Sequence, residues 1–172
     1  MDYSHNYRKR KKPVHGLIVH SMGEYVKGTY APHFLEDIGL SCHYFITPNG
    51  RLLETLSPDK VAFHAGLSEW NGETNLNETF LGVELLIEGE HDWKSHIEAM
   101  KDPDSFTEEH YQTLVQLTCD LRKQFDIPFK NIVRHSDVSG PDVRRDAKVD
   151  VGEAFDWNKF IRLVKEREAG TI

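Results

Sequence analysis

Three short apolar runs predict buried strands, and each carries a titratable residue inside it or directly after it. They are residues 14–20 with His20, residues 80–87 with Glu84, and residues 131–134 followed by His135. Apolar runs of this length, rich in branched side chains and bounded by polar or turn residues, are typical of strands inside a sheet. We therefore expect His20 and His135 at strand ends and Glu84 in the middle of a strand.

Helical spacing dominates the second half of the chain. Between Tyr111 and Phe125 apolar side chains recur every three or four positions, Thr107 can cap this helix, and Pro128 ends it. Residues 155–168 show a second amphipathic pattern. Two long helices near the carboxyl end are therefore predicted.

The first half alternates short elements with turns. Residues 32–38 predict a short helix closed by Gly39. Residues 43–56 predict a β-hairpin around Pro48-Asn49-Gly50, in which the Asn-Gly pair supplies positive φ angles. Strands that alternate with helices indicate an α/β fold: a single domain with a mixed central β-sheet flanked by helices.

Polar stretches without periodicity predict loops. Residues 57–79, which contain His64 and Trp70, have the composition of a long functional surface loop, and residues 88–105 that of an insertion or lid. Residues 136–152 predict an irregular loop. Residues 1–12 are basic and predict a flexible arm, which leaves residues 13–172 as the folded domain.

Composition narrows the possible partners. The chain has 172 residues, 38% of them hydrophobic, and a formal net charge of −7. A domain of this length buries roughly 70% of its unfolded surface, so a metal ion would serve chemistry rather than folding. The negative charge argues against nucleic acid as a partner.

The sequence also argues against export. The basic run at residues 8–12 is followed by too few apolar residues for a signal peptide, and no stretch approaches the length of a transmembrane segment. Cys42 and Cys119 make no disulfide framework. We expect a cytoplasmic protein, most simply a monomer.

Ten histidines are the unusual feature of the composition. The chain contains no H-E-x-x-H or C-x-x-C sequence, no G-x-S-x-G, and no glycine-rich phosphate-binding motif. Any metal site must therefore be assembled from distant segments. At one edge of the sheet we expect the candidate residues to converge, namely His20, His135, Glu84 and the segment Lys148-Val149-Asp150.

An ordered set of short motifs then gives a specific resemblance. The set consists of Leu17-Ile18-Val19-His20-Ser21, Ser41-Cys42-His43-Tyr44-Phe45-Ile46 with Asn49-Gly50, Ala62-Phe63-His64-Ala65-Gly66, Asn75-Leu76-Asn77, Leu81-Gly82-Val83-Glu84-Leu85, Val133-Arg134-His135-Ser136-Asp137, Lys148-Val149-Asp150-Val151-Gly152 and Phe155-Asp156-Trp157. In this order the motifs resemble the zinc-dependent N-acetylmuramoyl-L-alanine amidases of type 2, which share their fold with peptidoglycan-recognition proteins. The resemblance covers about residues 14–165.

The resemblance implies a role for each matching residue. His20, His135 and Asp150 bind Zn²⁺, Glu84 and Lys148 are catalytic, and His64 lines the substrate groove. Two imidazoles and one carboxylate leave a fourth tetrahedral position open, as in catalytic zinc sites. The implied reaction is zinc-dependent hydrolysis of the amide bond between N-acetylmuramic acid and L-alanine in peptidoglycan or muropeptides.

Further details follow from the same resemblance. Glu84 would move the proton from water to the leaving amine, and Lys148 would offset the charge on the carbonyl oxygen. Asp137 would orient an imidazole of the site. Family members commonly have Asp-Pro-Gly where this chain has Asp150-Val151-Gly152, so the loop that carries Asp150 loses the fixed φ angle of proline.

Ordinary structural roles compete with these assignments. Taken alone, Glu84 is more often one end of a buried ion pair, Lys148 a solvated lysine, and His64 a ring bonded to the backbone. His43 is expected to pack in the core. A last group, His33, His91, His96 and His110, has the pattern of surface residues.

Competing functions also remain open. The enzyme could be a phage endolysin or a recycling amidase, and the basic arm favours the lysin because it could attract an anionic wall. The alternative classes are a non-catalytic peptidoglycan-binding module and an interaction domain built on the same fold. The presence of all three metal-binding positions argues against the binding module.

Overall fold

The computed structural model describes residues 4–172, so residues 1–3 of the predicted arm lie outside it. Ten strands are formed: β1 Tyr7–Lys9, β2 Gly16–Val26, β3 Thr29–Tyr30, β4 Tyr44–Ile46, β5 Leu52–Glu54, β6 Lys60–Ala62, β7 Glu69–Trp70, β8 Glu73–Thr74, β9 Phe80–Glu90 and β10 Ile132–Arg134. Five α-helices are formed: α1 Ala31–Asp37, α2 Trp93–Ala99, α3 Glu108–Phe125, α4 His135–Val138 and α5 Trp157–Glu168. Short 3-10 turns cover Leu76–Glu78, Pro103–Ser105 and Phe129–Asn131.

The central sheet has the strand order β10-β2-β9-β4-β5, with β3 added to the far end of β2. Strands β10, β2, β9 and β4 are parallel, whereas β5 and β3 pair antiparallel with their neighbours. This mixed sheet with flanking helices confirms the predicted fold class. The three predicted strands lie side by side in it, with β10 at the edge and β2 and β9 next to it.

Alternation along the strands separates the two faces of the sheet. Leu17 and Val19 of β2 join the larger core, which is completed by α3 and α5, whereas Ile18 faces a smaller cluster on the other side. Successive strand residues point to opposite faces, so His20 lies on the face of Ile18. Helix α1, the short helix α4 and loops cover that face.

Strand β2 is longer than predicted. The expectation placed His20 at the end of a strand, but β2 continues to Val26 and pairs with β9 over most of its length. His20 therefore lies mid-strand, directly opposite Glu84. His135, in contrast, does follow its strand β10 directly, as predicted.

The hairpin forms as predicted, but its turn has a different conformation. Strands β4 and β5 pair antiparallel, and the Gly50 amide donates to the Thr47 carbonyl at 2.8 Å. Gly50 has φ 79°, whereas Asn49 is not among the residues with positive φ. The turn therefore requires one left-handed residue rather than the two expected for an Asn-Gly turn.

The prediction of a flexible arm is wrong for residues 4–10. Tyr7–Lys9 pairs with Lys60–Ala62, and Arg10 is partly buried. The Arg10 guanidinium donates to the carbonyls of Glu78 at 2.6 Å and Lys60 at 2.7 Å. Backbone and guanidinium bonds to loop carbonyls hold this segment, although its sequence has no apolar period that would predict a strand.

Two histidines expected at the surface are buried. His110 is fully buried in α3, where its Nδ1 accepts from the Thr107 amide at 3.1 Å and its Nε2 lies 3.1 Å from the Leu86 carbonyl. His96 in α2 is also buried. Both rings bond to the main chain of central strands, His110 to Leu86 of β9 and His96 to Ser21 of β2, a role that residue type alone does not reveal. Among residues 4–172 no helix has the length and apolar character needed to cross a bilayer.

Candidate metal centre and active site

Neighbouring strands bring the main site residues together. β10 pairs parallel with β2 so that Arg134 lies opposite Val19, which places His135 beside His20. Glu84 lies opposite His20 on the other neighbour, β9. The loop after α4 returns Asp150 to the same point, as expected for residues at one end of parallel strands.

Three buried side chains converge on a common point. His20 Nδ1 lies 3.0 Å from His135 Nδ1 and 3.2 Å from Asp150 Oδ2, and His135 Nδ1 lies 3.1 Å from the same carboxylate oxygen. These three are the described residues that can jointly hold a metal ion. The structure thus brings together all three side chains that the resemblance assigned to zinc.

Backbone carbonyls decide which ring nitrogens carry protons. His135 Nε2 lies 3.1 Å from the Ala65 carbonyl, which can only accept, so this nitrogen donates. His64 Nε2 lies 3.2 Å from the Phe80 carbonyl and donates for the same reason. His64 Nδ1 therefore accepts, and the nitrogen that donates to it, at 2.9 Å, is His20 Nε2.

This arrangement directs two imidazole lone pairs at a carboxylate. When both rings are neutral with Nε2 protonated, the state in which they can bind a metal, their Nδ1 atoms have only lone pairs to offer Asp150. Three such atoms within hydrogen-bond distance repel one another unless a cation lies between them. Donors at about 2.0–2.1 Å from a tetrahedral zinc are about 3.3 Å apart, close to the three observed separations. The donor set therefore fits zinc.

The electrostatics of the cluster favour metal binding. Burial, and then the neighbouring His135, lower the pKa of His20 to about 4, which keeps the His20 ring neutral. Burial alone would raise the pKa of Asp150, but the neighbouring His135 and His20 hold it below its usual range. Neutral imidazoles and an ionised carboxylate are the protonation states that metal binding requires.

Glu84 is a buried carboxyl group, and one of its two oxygen atoms, Oε2, has no hydrogen-bond partner among the described residues. Burial, followed by repulsion from Asp150, raises its pKa well above the ordinary value, and Lys148 opposes part of this increase. No ion-pair partner within 4 Å is described for Glu84, so the alternative of a closed buried ion pair does not hold. The free oxygen can accept a proton.

Lys148 lies partly buried at the rim of the same cleft. Its main-chain amide donates to the Ser139 carbonyl at 2.9 Å, which fixes the loop behind it. Its Nζ lies 5.8 Å from the ring centre of Trp93. The structure therefore places Lys148 at the site rather than on an unrelated solvated surface.

His64 combines the two roles considered from sequence. It lines the cleft, as a groove residue would, and its Nε2 also bonds to the backbone of Phe80. The contact with His20 was not predicted. Burial, then the neighbouring His20 and His43, lowers the pKa of His64 well below its usual value, which keeps it a neutral acceptor.

Asp137 does not orient an imidazole, so that prediction is wrong. Its Oδ2 accepts the Arg134 amide at 2.8 Å and caps the short helix α4. The Ala65 carbonyl takes the orienting role at His135. Asp137 is two residues from His135 in sequence, but the helical turn directs its side chain back to the helix start.

Hydrogen bonds from two sides hold the loop that carries Asp150. The Ser136 amide donates to the Asp150 carbonyl at 2.8 Å, and Ser21 Oγ donates to the Val151 carbonyl at 2.8 Å. These contacts fix the loop without the proline that relatives commonly have at the position of Val151. The loss of pre-organisation expected there is therefore offset by neighbouring side chains.

Comparison with known proteins places the sequence and the fold in a known family. A family model described as N-acetylmuramoyl-L-alanine amidase matches residues 10–153, which is most of the chain. The chain belongs to this amidase family. The resemblance inferred from sequence is thereby confirmed.

Curated relatives agree with the family assignment. The chain is 31% identical over 137 residues to the 1,6-anhydro-N-acetylmuramyl-L-alanine amidase AmpD of Escherichia coli (strain K12), which covers 78% of this chain and 65% of AmpD. It is 29% identical over 151 residues to the N-acetylmuramoyl-L-alanine amidase AmiD of the same organism, covering 84% of this chain and 51% of AmiD. The chain thus spans a little under two thirds of AmpD and about half of AmiD.

A solved structure extends the comparison to three dimensions. The crystal structure of a selenomethionine derivative of AmpD superposes with a TM-score of 0.69 and 26% identity, covering 94% of this chain and 91% of that chain. The mixed sheet with helices packed against it is therefore an amidase-family architecture.

The cleft around the candidate metal centre also contains residues that sequence reasoning did not single out. The cleft has a volume of about 570 Å³, and its walls include Trp93, His96 and Arg144. Trp93 and His96 belong to the segment interpreted only as an insertion or lid. No motif marks them, because their position depends on how α2 packs.

Proposed function

We propose that this chain is a zinc-dependent amidase that hydrolyses the bond between N-acetylmuramic acid and L-alanine. The observation that carries the proposal is the triangle of His20, His135 and Asp150. Two imidazole nitrogens and a carboxylate oxygen meet there at 3.0–3.2 Å, close to the spacing of three donors around one tetrahedral zinc ion, whose fourth position would stay open. The family match supports the same chemistry.

The side chains around the triangle have complementary roles. A zinc ion with an open position lowers the pKa of water and polarises a carbonyl group. Glu84, with its raised pKa and unpartnered Oε2, accepts the proton of the attacking water and returns it to the departing amine nitrogen. Lys148 offsets the negative charge that develops on the carbonyl oxygen.

The substrate we propose is a soluble muropeptide fragment rather than the intact wall. The curated relative AmpD is named for a 1,6-anhydro-N-acetylmuramyl substrate. The basic arm that favoured a lysin is also partly neutralised, because Arg8 pairs with Glu78 at 2.5 Å, and the Arg10 guanidinium is engaged by main-chain carbonyls of the domain. The charge available to attract an anionic wall is therefore smaller than the sequence suggests.

Measuring the release of the stem peptide tests both the zinc-dependent hydrolysis and the choice of a soluble fragment as substrate. The protein is assayed by mass spectrometry on 1,6-anhydro-N-acetylmuramoyl-peptide and on purified walls, before and after dialysis against a chelator. We expect cleavage of the soluble fragment, its loss without metal, and its recovery with zinc. Full activity of metal-free protein would overturn the mechanism, and a preference for walls would overturn the substrate assignment.

A non-catalytic recognition module is the competing function. It predicts binding of the fragment without release of peptide, with or without zinc. The complete donor set and the unpartnered Glu84 carboxylate favour the enzyme.

A further inference from the structure

Helix α2 forms a wall of the cleft with two residues that have no role in the proposed reaction. Trp93, its first residue, is 58% exposed, an unusual exposure for so large an apolar ring. His96 lies one turn further along and is buried, with ring centres 6.4 Å apart. Both residues line the cleft that contains the metal centre.

The helix is fixed in place rather than loosely attached. The Asp92 side chain accepts from the Ser95 amide at 2.8 Å, and Ser95 Oγ accepts from the Asp92 amide at 3.0 Å. At the other end of the helix, the Met100 carbonyl accepts the Ala154 amide at 3.1 Å. A Cβ added at Gly152 would lie 2.6 Å from Met100 Cβ, which shows how closely this end packs against the loop of Asp150.

The two rings offer complementary binding chemistry. The indole of Trp93 presents a flat apolar face, and Lys148 Nζ lies 5.8 Å from its centre. The His96 ring bonds to the main chain of Ser21, and its Nδ1 has no partner among the described residues. A buried nitrogen without a partner costs free energy that a donor bound in the cleft can recover.

We propose that Trp93 and His96 form the subsite for the sugar ring of the substrate. A pyranose ring has an apolar C–H face that matches the indole and N–H and O–H donors at its edge that suit His96. Asp92 also lines the cleft, and its carboxylate disfavours the acidic stem peptide at this wall. This inference rests on the proposed function, because it assumes a substrate with a muramoyl sugar.

The first test compares two substrates. One carries N-acetylmuramic acid on the stem peptide, and the other carries only the lactoyl group, which lacks the sugar ring. The ratio of their kcat/KM values measures what the ring contributes. In Trp93→Ala we expect this ratio to fall at least about tenfold, mainly through KM, with partial recovery in Trp93→Phe. Tyr7→Ala, an exposed aromatic on β1, is the control and should leave the ratio unchanged.

The second test needs no hydrolysis and therefore separates the two proposals. Free N-acetylmuramic acid is titrated into the zinc-loaded protein, and the indole N–H signals of its tryptophans are followed by NMR. We expect a saturable shift for Trp93, whereas Trp70, whose indole donates to the Lys130 carbonyl at 3.1 Å, is the internal control. A shifted Trp93 in a protein that cleaves nothing would contradict only the proposed function. Cleavage with an unshifted Trp93 and an unchanged ratio in Trp93→Ala would contradict only the sugar subsite.

Discussion

His20 Nε2 donates a hydrogen bond to His64 Nδ1 at 2.9 Å, so a loop histidine sets the tautomer of a proposed metal ligand. His64 is held in turn by the Phe80 carbonyl. Partners of this kind commonly change metal affinity about 10- to 100-fold when they are removed. His64→Ala should therefore weaken zinc binding by about that factor, measured by competition with a chromophoric chelator.

A control separates this effect from the general loss of a histidine. His33→Ala removes an exposed ring outside the cleft and should leave zinc affinity unchanged. Equal zinc affinity in His64→Ala and the parent protein would show that His20 keeps its orientation without His64.

Gly82 gives His64 the space that this hydrogen bond needs. A Cβ at position 82 would lie 2.6 Å from His64 Nδ1 and 2.8 Å from Cys42 Sγ, so one of these side chains must move. Gly82→Ala should weaken zinc binding in the same direction as His64→Ala and lower the free energy of unfolding by about 1–3 kcal/mol. Chelator competition and urea unfolding measure the two effects. A destabilised variant with parental zinc affinity would mean that Cys42, not His64, gives way.

The sequence predicts the strands that carry the site residues, but it does not predict the contacts that hold these residues in place. His20, Glu84 and His135 belong to apolar runs whose burial follows from residue type. His64 lies in residues 57–79, where the hydrophobic residues show no regular spacing. The course of the backbone there depends on hydrogen bonds such as the one that the Ala65 amide donates to Asn77 Oδ1 at 2.8 Å. Tertiary contacts of this kind leave no local pattern.

The lack of a local sequence pattern also explains why a flexible arm was predicted for the first residues. Strand β1 has three exposed residues, so neither alternation nor hydrophobicity marks it, and its partner β6 is some fifty residues away in sequence. Helix α2 is similar, since seven residues are too few for a clear helical period. Short elements are determined by what they pack against.

Glu84→Gln should separate chemistry from metal binding. The amide keeps the size of the side chain but cannot accept a proton, so kcat should fall at least about 100-fold. Zinc content should remain at the parental value, because Glu84 is not one of the three converging donors. Peptide release and metal analysis on the same sample are the measurements. Loss of zinc together with activity would assign Glu84 to the metal centre instead.

Arg10 should contribute to stability although it lies in a basic segment. Its guanidinium donates to four carbonyls, those of Pro58 at 2.8 Å, Glu78 at 2.6 Å, Lys60 at 2.7 Å and Asn77 at 3.4 Å. Arg10→Ala leaves these acceptors without their partner and should lower the free energy of unfolding by about 2–4 kcal/mol in urea titrations. Lys12→Ala, an exposed neighbour, should change it by less than about 0.5 kcal/mol. If both variants lowered the free energy of unfolding equally little, the contacts of Arg10 would not stabilise the fold and the prediction of a flexible arm would hold.

His43 should make the protein less stable in mild acid. Burial, and to a smaller extent the nearby Arg10 guanidinium, lower its pKa from 6.5 to about 4, although the contact of its Nε2 with the Lys60 carbonyl at 3.0 Å opposes part of this shift. The unfolded chain binds a proton near pH 6.5 and the folded one only near pH 4, so the contribution of neutral His43 is complete above pH 6.5 and is lost as the pH falls through that window. From this ring alone the unfolding free energy should drop by about 2 kcal/mol between neutral pH and pH 5. Urea unfolding of the parent and of His43→Gln at both pH values measures this, and an equal drop in the two proteins would assign the acid sensitivity to the other buried histidines.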